Sequence, residues 1–144
     1  MDRKRTVQTL KTIGVWIPVI LLAFVFIPAG WAKFSATSGW GIAFRHWGYP
    51  DWFRITIGVL ELSAVALLLS VRGAAYGAML VIAVMLGGTA THIVLDHGRH
   101  VTSEVIPIAL AIIVLVTRRA QIAELRARLP VLALGRSRLR LRRR

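Results

Sequence analysis

Residues 55–95 read ITIGVLELSAVALLLSVRGAAYGAMLVIAVMLGGTATHIVL. Two apolar runs, Ile55–Val71 and Ala74–Leu95, are separated by nothing but Arg72 and Gly73. Each approaches the roughly 20 residues that a helix, rising about 1.5 Å per residue, needs to cross the hydrocarbon of a bilayer. A connection this short forces the two helices to be antiparallel neighbours, so the stretch reads as a transmembrane helical hairpin. Gly73 and Gly77 form a small-xxx-small pair, and Gly87-Gly88 offers a second flat patch. Such residues let membrane helices approach closely, and packing inside the bundle is the favoured use here over dimerisation.

Two further runs flank the hairpin. Upstream lies Thr12–Ala32, interrupted by Pro18 and Pro28, each of which removes a backbone hydrogen bond and is expected to bend the helix. Downstream lies Val105–Val116, which is short and reaches a span only by recruiting residues from Val101 and running past Thr117. The expectation is an all-α, polytopic membrane four-helix bundle in residues 1–117, with helices at 12–32, 54–71, 74–95 and 102–117. Residues 118–144 form a basic amphipathic C-terminal tail. The first run follows a basic start, as a signal peptide would, and Gly30-Trp31-Ala32 resembles a weak cleavage site. At about 21 residues it exceeds the usual signal h-region and is read as a retained helix.

Composition agrees with that reading. Of 144 residues 56% are hydrophobic and 17% charged, against about a quarter charged in a soluble domain. The net charge of +13 is concentrated at the two ends. Met1–Lys11 carries four basic residues against Asp2, and Arg118–Arg144 carries ten arginines against Glu124. Placing both termini in the cytoplasm puts these two segments and the Arg72 turn inside, which accounts for 15 of the 19 basic residues. The outer side keeps Lys33, Arg45, Arg54 and Arg99. The chain is therefore expected in the inner (cell) membrane with both ends cytoplasmic. With no cysteine, disulfides, thiolate metal sites and CxxC redox chemistry are excluded.

The only connection long enough for its own architecture is 34–54, which contains Trp40, Trp47, Tyr49 and Trp52, with Trp31 just before it. These aromatics read either as an interfacial belt at headgroup level or as a lid over the outer mouth of the bundle.

Charge inside the apolar body is scarce and therefore informative. Glu61 falls roughly 10–14 Å below the outer surface, where an ionised carboxylate must face the bundle interior, be paired, or be protonated. His92 lies about 5 Å deep near the outer end of the third run, and Thr89 is one turn further in. Lys33, at the outer end of the first run, either snorkels outward or turns towards Glu61. These four residues, Lys33, Glu61, Thr89 and His92, are the candidate ligand-binding set. They form either a network that sets helix register or the polar end of an otherwise apolar cavity.

Sharper chemistry finds little support. A bis-histidine haem needs two intramembrane histidines, and only His92 qualifies. Asp96, His97, His100 and Glu104 surround a short outer turn, but no fixed helical spacing makes them metal ligands, and a solvated loop is the favoured reading. There is no Ser–His–Asp spacing of diagnostic value, no P-loop and no dinucleotide fingerprint. No catalytic residue and no metal ligand is assigned, and a redox role would need a borrowed cofactor.

Several short motifs occur in an ordered series: Gly30-Trp31-Ala32-Lys33-Phe34, Trp47-Gly48-Tyr49-Pro50, Ile57–Leu62, and Met85 to His92. In order and spacing the region from Ile13 to Thr117 resembles the DoxX and DoxX-like membrane proteins. The resemblance implies a four-helix membrane bundle with Lys33, Glu61 and His92 as the family-type polar positions. That family takes its name from a subunit of an archaeal quinone-linked respiratory complex. Mycobacterial members are associated with a membrane oxidoreductase complex, and distant eukaryotic relatives act as chaperones or cargo receptors. The resemblance implies an accessory subunit of a membrane redox system. The alternatives are a binding module holding a quinone, lipid or other small apolar ligand, and a membrane chaperone. No cofactor intrinsic to the chain is expected beyond such a quinone or lipid.

The tail departs from the family pattern. Ile122, Leu125 and Leu129 form a helical stripe beside Arg118, Arg119, Arg126 and Arg128. After Pro130 the chain turns rich in arginine, with Arg136, Arg138, Arg140, Arg142, Arg143 and Arg144. Next to the inner leaflet such a cluster is expected to bind anionic headgroups at about 1 kcal/mol per basic residue. Nucleic acid is the competing polyanion and is not the expected partner. Redox subunits and further copies of the chain remain open as partners.

Overall fold

A computed structural model describes residues 3–70, 72–97 and 101–118. They form five helices: α1 (Arg3–Ala32), α2 (Gly39–His46), α3 (Asp51–Leu69), α4 (Ala74–Leu95) and α5 (Val101–Thr117). No strand occurs among the described residues. The helix of the first run starts at Arg3 rather than at Thr12, because no breaker separates the basic segment from the apolar one. It continues as one helix through Pro18 and Pro28. α3 begins at Asp51, earlier than expected, directly behind Pro50, whose extended backbone serves as the N-cap. The acidic side chain of Asp51 suits the positive end of the helix dipole.

The four long helices pack in a ring in which α1 touches α3 and α5, while α4 touches α3 and α5. Among the described residues the diagonal pairs do not meet, so the centre must be filled by side chains or left open. At the end that carries the α3–α4 turn it is filled. Val19, Leu22 and Phe26 of α1, Ala64 and Leu68 of α3, Ala78 and Val81 of α4, and Val114 of α5 form one buried cluster there. Small residues bring the backbones together there: a Cβ on Gly77 would lie 2.6 Å from the Leu68 amide nitrogen. The glycine pair at 73 and 77 thus serves internal packing. The turn itself is closed by the Ser70 hydroxyl, which accepts the Gly73 N–H at 2.8 Å.

The opposite end of the ring is open and is covered by α2. This short helix is capped by Ser38, whose hydroxyl accepts the Gly41 N–H at 3.0 Å and donates to the Ala32 carbonyl at 2.6 Å, tying α2 to the end of α1. After α2 the backbone reverses at Gly48, whose φ of 79° favours glycine. α3 and α4 are long and apolar enough to cross a membrane, and Trp16–Ala32 and Thr102–Thr117 are shorter apolar helical stretches. The outward faces carry large bare apolar side chains such as Phe24 (78% exposed), Val94 (73%) and Ile106 (68%), whereas Lys33, Arg54, Glu61, His92 and Glu104 are buried. Apolar outside and charged inside inverts the usual arrangement of a water-soluble bundle.

Candidate functional site

The open end of the ring holds a cavity of about 600 Å³. Its position follows from how α1 and α3 cross. A Cβ on Gly58 would lie 2.9 Å from the Gly30 carbonyl oxygen, so the two helices touch through bare glycines. Lys33 and Glu61 each follow one of these glycines by three residues, about one helical turn. Lys33 sits just past α1 and folds back along it, its ammonium donating to the Ala29 carbonyl at 3.4 Å and to Glu61 Oε2 at 2.8 Å. Both side chains are almost wholly buried. Of the two orientations open to Lys33 in the sequence, the inward one is adopted. The same ammonium lies 3.9 Å from the centre of the Trp40 ring, a cation–π contact contributed by α2.

Arg54 supports this pair from above. Its guanidinium donates to the Lys33 carbonyl and, through Nη2, to Asp51 Oδ1 at 3.0 Å. The sequence places Arg54 among the outer-loop cations, but the structure buries it in the first turns of α3. Arg54, Gly58 and Glu61 fall at i, i+4 and i+7 on one helix face, a spacing that marks them as a single inward stripe.

The second polar group comes from α4 and α5. His92 Nδ1 lies 3.3 Å from Asp96 Oδ2, and its Nε2 lies 3.5 Å from Glu104 Oε1. Glu104, read from the sequence as part of a solvated outer turn, is buried and lines the cavity. Gly88 makes room for it, since a Cβ there would lie 3.2 Å from the Glu104 carboxylate. Among the described residues no three histidine or acidic side chains come together to hold a metal ion, and His100 lies outside those residues.

The aromatic segment divides between its two readings. Trp31 and Trp52 are mostly exposed and lie outside the cavity lining. Trp40, Phe44, Trp47, Tyr49 and Phe53 instead line the cavity as a cover. Trp47 stands edge-on to His92 with ring centres 5.2 Å apart, and the Tyr49 hydroxyl meets Thr91 Oγ1 at 3.0 Å. Thr91 thus takes the place in the cavity wall that the sequence gives to Thr89. Thr89 lies outside the cavity lining, its hydroxyl donating to the Met85 carbonyl at 2.9 Å within its own helix. A Thr hydroxyl commonly folds back this way when no partner faces it.

Of the sequence-derived candidates, Lys33, Glu61 and His92 therefore share one cavity, while tertiary packing adds Trp40, Tyr49 and Glu104 to its lining and Arg54 as a buried support outside it. Arg118 closes α5 with its backbone N–H on the Val114 carbonyl at 2.9 Å. The tail arginines from Arg119 onward lie outside the described residues.

The model of one protein family, described as the DoxX-like family, matches residues 17–116. No curated protein and no solved structure matches the chain.

Proposed function

This chain belongs to the DoxX-like family, and on that premise we propose that it is a multi-pass membrane protein that holds a small, largely apolar molecule between its four long helices. The observation that carries this reading is the cavity. Its size of about 600 Å³ falls within the roughly 300–1,000 Å³ typical of small-molecule sites. Its wall is mainly aliphatic and aromatic, with Lys33, Glu61, His92 and Glu104 as the few polar groups that would orient a ligand. Residues 39–50 act as a lid on the outer side. α1, α3, α4 and α5 each cross the cell membrane once, with both termini cytoplasmic, supported by the basic residues at both ends and by the apolar outward faces. The arginine tail lies on anionic headgroups.

Extraction and mass spectrometry of the purified protein in lipid nanodiscs test the binding reading. A small apolar molecule beyond the disc lipids is expected in stoichiometric amount, and depleted from Glu61→Gln. Extracts of both proteins that match empty discs would reject it.

A second reading is that the ligand is a quinone and the chain serves a membrane redox system. It is favoured by two N–H donors, Lys33 and His92, in a cavity that Trp40 and Trp47 also line. Carbonyl oxygens on a flat ring suit such a site. Co-purification of redox subunits, and quinone in the extract, are its expected outcomes.

A further inference from the structure

The ionisable groups in the cavity wall do not balance. Lys33 neutralises Glu61 at 2.8 Å, and Arg54 is held by Asp51 and the Lys33 carbonyl. That leaves Glu104, which is 6% exposed and whose nearest cationic candidate is the His92 imidazole, itself shared with Asp96. Set against the single lysine, the two lining carboxylates leave Lys33, Glu61 and Glu104 with one excess negative charge in a space walled mainly by apolar groups. An uncompensated charge in such surroundings is strongly unfavourable, so a proton or a cation must accompany it.

The surroundings select among cations. Trp40, Phe44, Trp47, Tyr49 and Phe53 line the same space, and electron-rich ring faces beside a carboxylate are the chemistry that recognises an organic ammonium or similar soft cation. The protein already uses that chemistry once, in the Lys33 ammonium on the Trp40 ring. A hydrated metal ion would find few oxygen ligands here, whereas a bulky cation with an apolar shell matches both the aromatic cover and the aliphatic wall.

We infer that the cavity accepts an amphiphilic organic cation, whose charge is met by Glu104 and whose apolar bulk packs under the aromatic cover, in exchange for the proton that otherwise neutralises the cluster. The inference rests on the binding reading above, and it competes with a neutral quinone as the ligand. The titratable groups that share this space with Glu104 are Lys33 from the end of α1, Tyr49 from the lid, Glu61 from α3 and His92 from α4, the last of which also meets Asp96. Cation and proton compete for one charge, so cation affinity rises with pH across the titration of this cluster.

The test uses the full chain in nanodiscs of phosphatidylcholine, with empty discs subtracted. Tetraphenylphosphonium is the cationic probe and triphenylphosphine oxide the neutral one of comparable bulk. Tryptophan fluorescence reports binding, since Trp40 and Trp47 line the cavity. The expected result is tetraphenylphosphonium binding at least about tenfold tighter than the neutral probe, weakening as pH falls. Glu104→Gln should lose that preference, its affinity for tetraphenylphosphonium falling to within about twofold of its affinity for the neutral probe. Equal affinities for the two probes in the wild-type protein would overturn the inference and leave the binding reading standing. An unchanged preference in Glu104→Gln would overturn it likewise. Should the variant not fold, the wild-type comparison and its pH dependence decide alone. Binding of neither probe, with an empty extract, would overturn both readings.

Discussion

Gly58 of α3 stands against Lys33 so closely that a Cβ on the glycine would lie 3.1 Å from the lysine Cβ. The contact exists because the polar side chain folds back from the end of α1 over a helix surface that has no side chain at that point. It brings a cation from the end of one helix to a carboxylate on the next. A side chain at position 58 would either push α1 away or tilt Lys33 out of line with Glu61.

Gly58→Ala should therefore destabilise the protein by about 1–3 kcal/mol, the usual cost of overpacking, because the Gly30 carbonyl is backbone and cannot swing aside. Gly14→Ala in α1, where a Cβ meets nothing within 4 Å, is the control. There the change should be neutral or stabilising by up to about 1 kcal/mol. Thermal melts in one detergent compare the two, and equal effects would contradict the close crossing.

Lys33 and Glu61 should be strongly coupled. Glu61→Gln or Lys33→Met alone strands a buried charge and is expected to cost about 3–5 kcal/mol, while the double change costs much less than the sum. A double-mutant cycle by melting or denaturant titration measures the difference. Additive losses would mean that each side chain is satisfied elsewhere.

Arg54→Lys keeps the charge but replaces a planar fork with a single point donor, which cannot hold the Lys33 carbonyl and Asp51 together. A loss of about 1.5–3 kcal/mol is expected, the range for hydrogen bonds to a charged group. Asp51→Asn should cost under about 1 kcal/mol, because Asp51 is largely exposed and its ion pair is solvent-screened. Reversal of that order in a stability assay would show that the Asp51 contact, and not the Lys33 carbonyl, anchors the guanidinium.

Reporter fusions after Arg119 and within the 34–50 segment should report opposite sides of the membrane, cytoplasm for the first and exterior for the second. The same side for both would contradict four crossings.

Truncation after Arg128 removes six of the ten tail arginines. The helical body should keep its melting temperature while retention on anionic vesicles falls, more so at low salt, since attraction of this kind is screened within a Debye length. Vesicle binding that is unchanged across a salt titration would reject the headgroup role.

The inward stripe of α3 is legible in the residues alone. Arg54, Gly58, Glu61, Val65 and Leu68 recur at helical spacing, and an acid in the middle of an apolar run has few places to go. Glu61 stands out for that reason. Arg54 does not, because it lies at the start of the run, where a cation is ordinarily solvated. Glu104 escapes notice on the same ground: four residues into α5, it looks like part of a polar turn.

Local composition by itself determined that the chain is helical, that two of its helices form a tight hairpin, and that Glu61 and His92 stand in apolar runs. Those properties depend on residue type and spacing along one segment, and they need no knowledge of what the segment packs against. Tertiary structure alone decided that Lys33 turns inward, that Glu104 joins His92, that Thr91 rather than Thr89 reaches the cavity, and that part of the aromatic loop covers it. Each of these is a choice of orientation that the neighbouring residues in the sequence leave open. What tips it is the partner across the gap: a carboxylate reached over two bare glycines, a space left beside Gly88, and a ring of helices whose diagonals do not meet among the described residues.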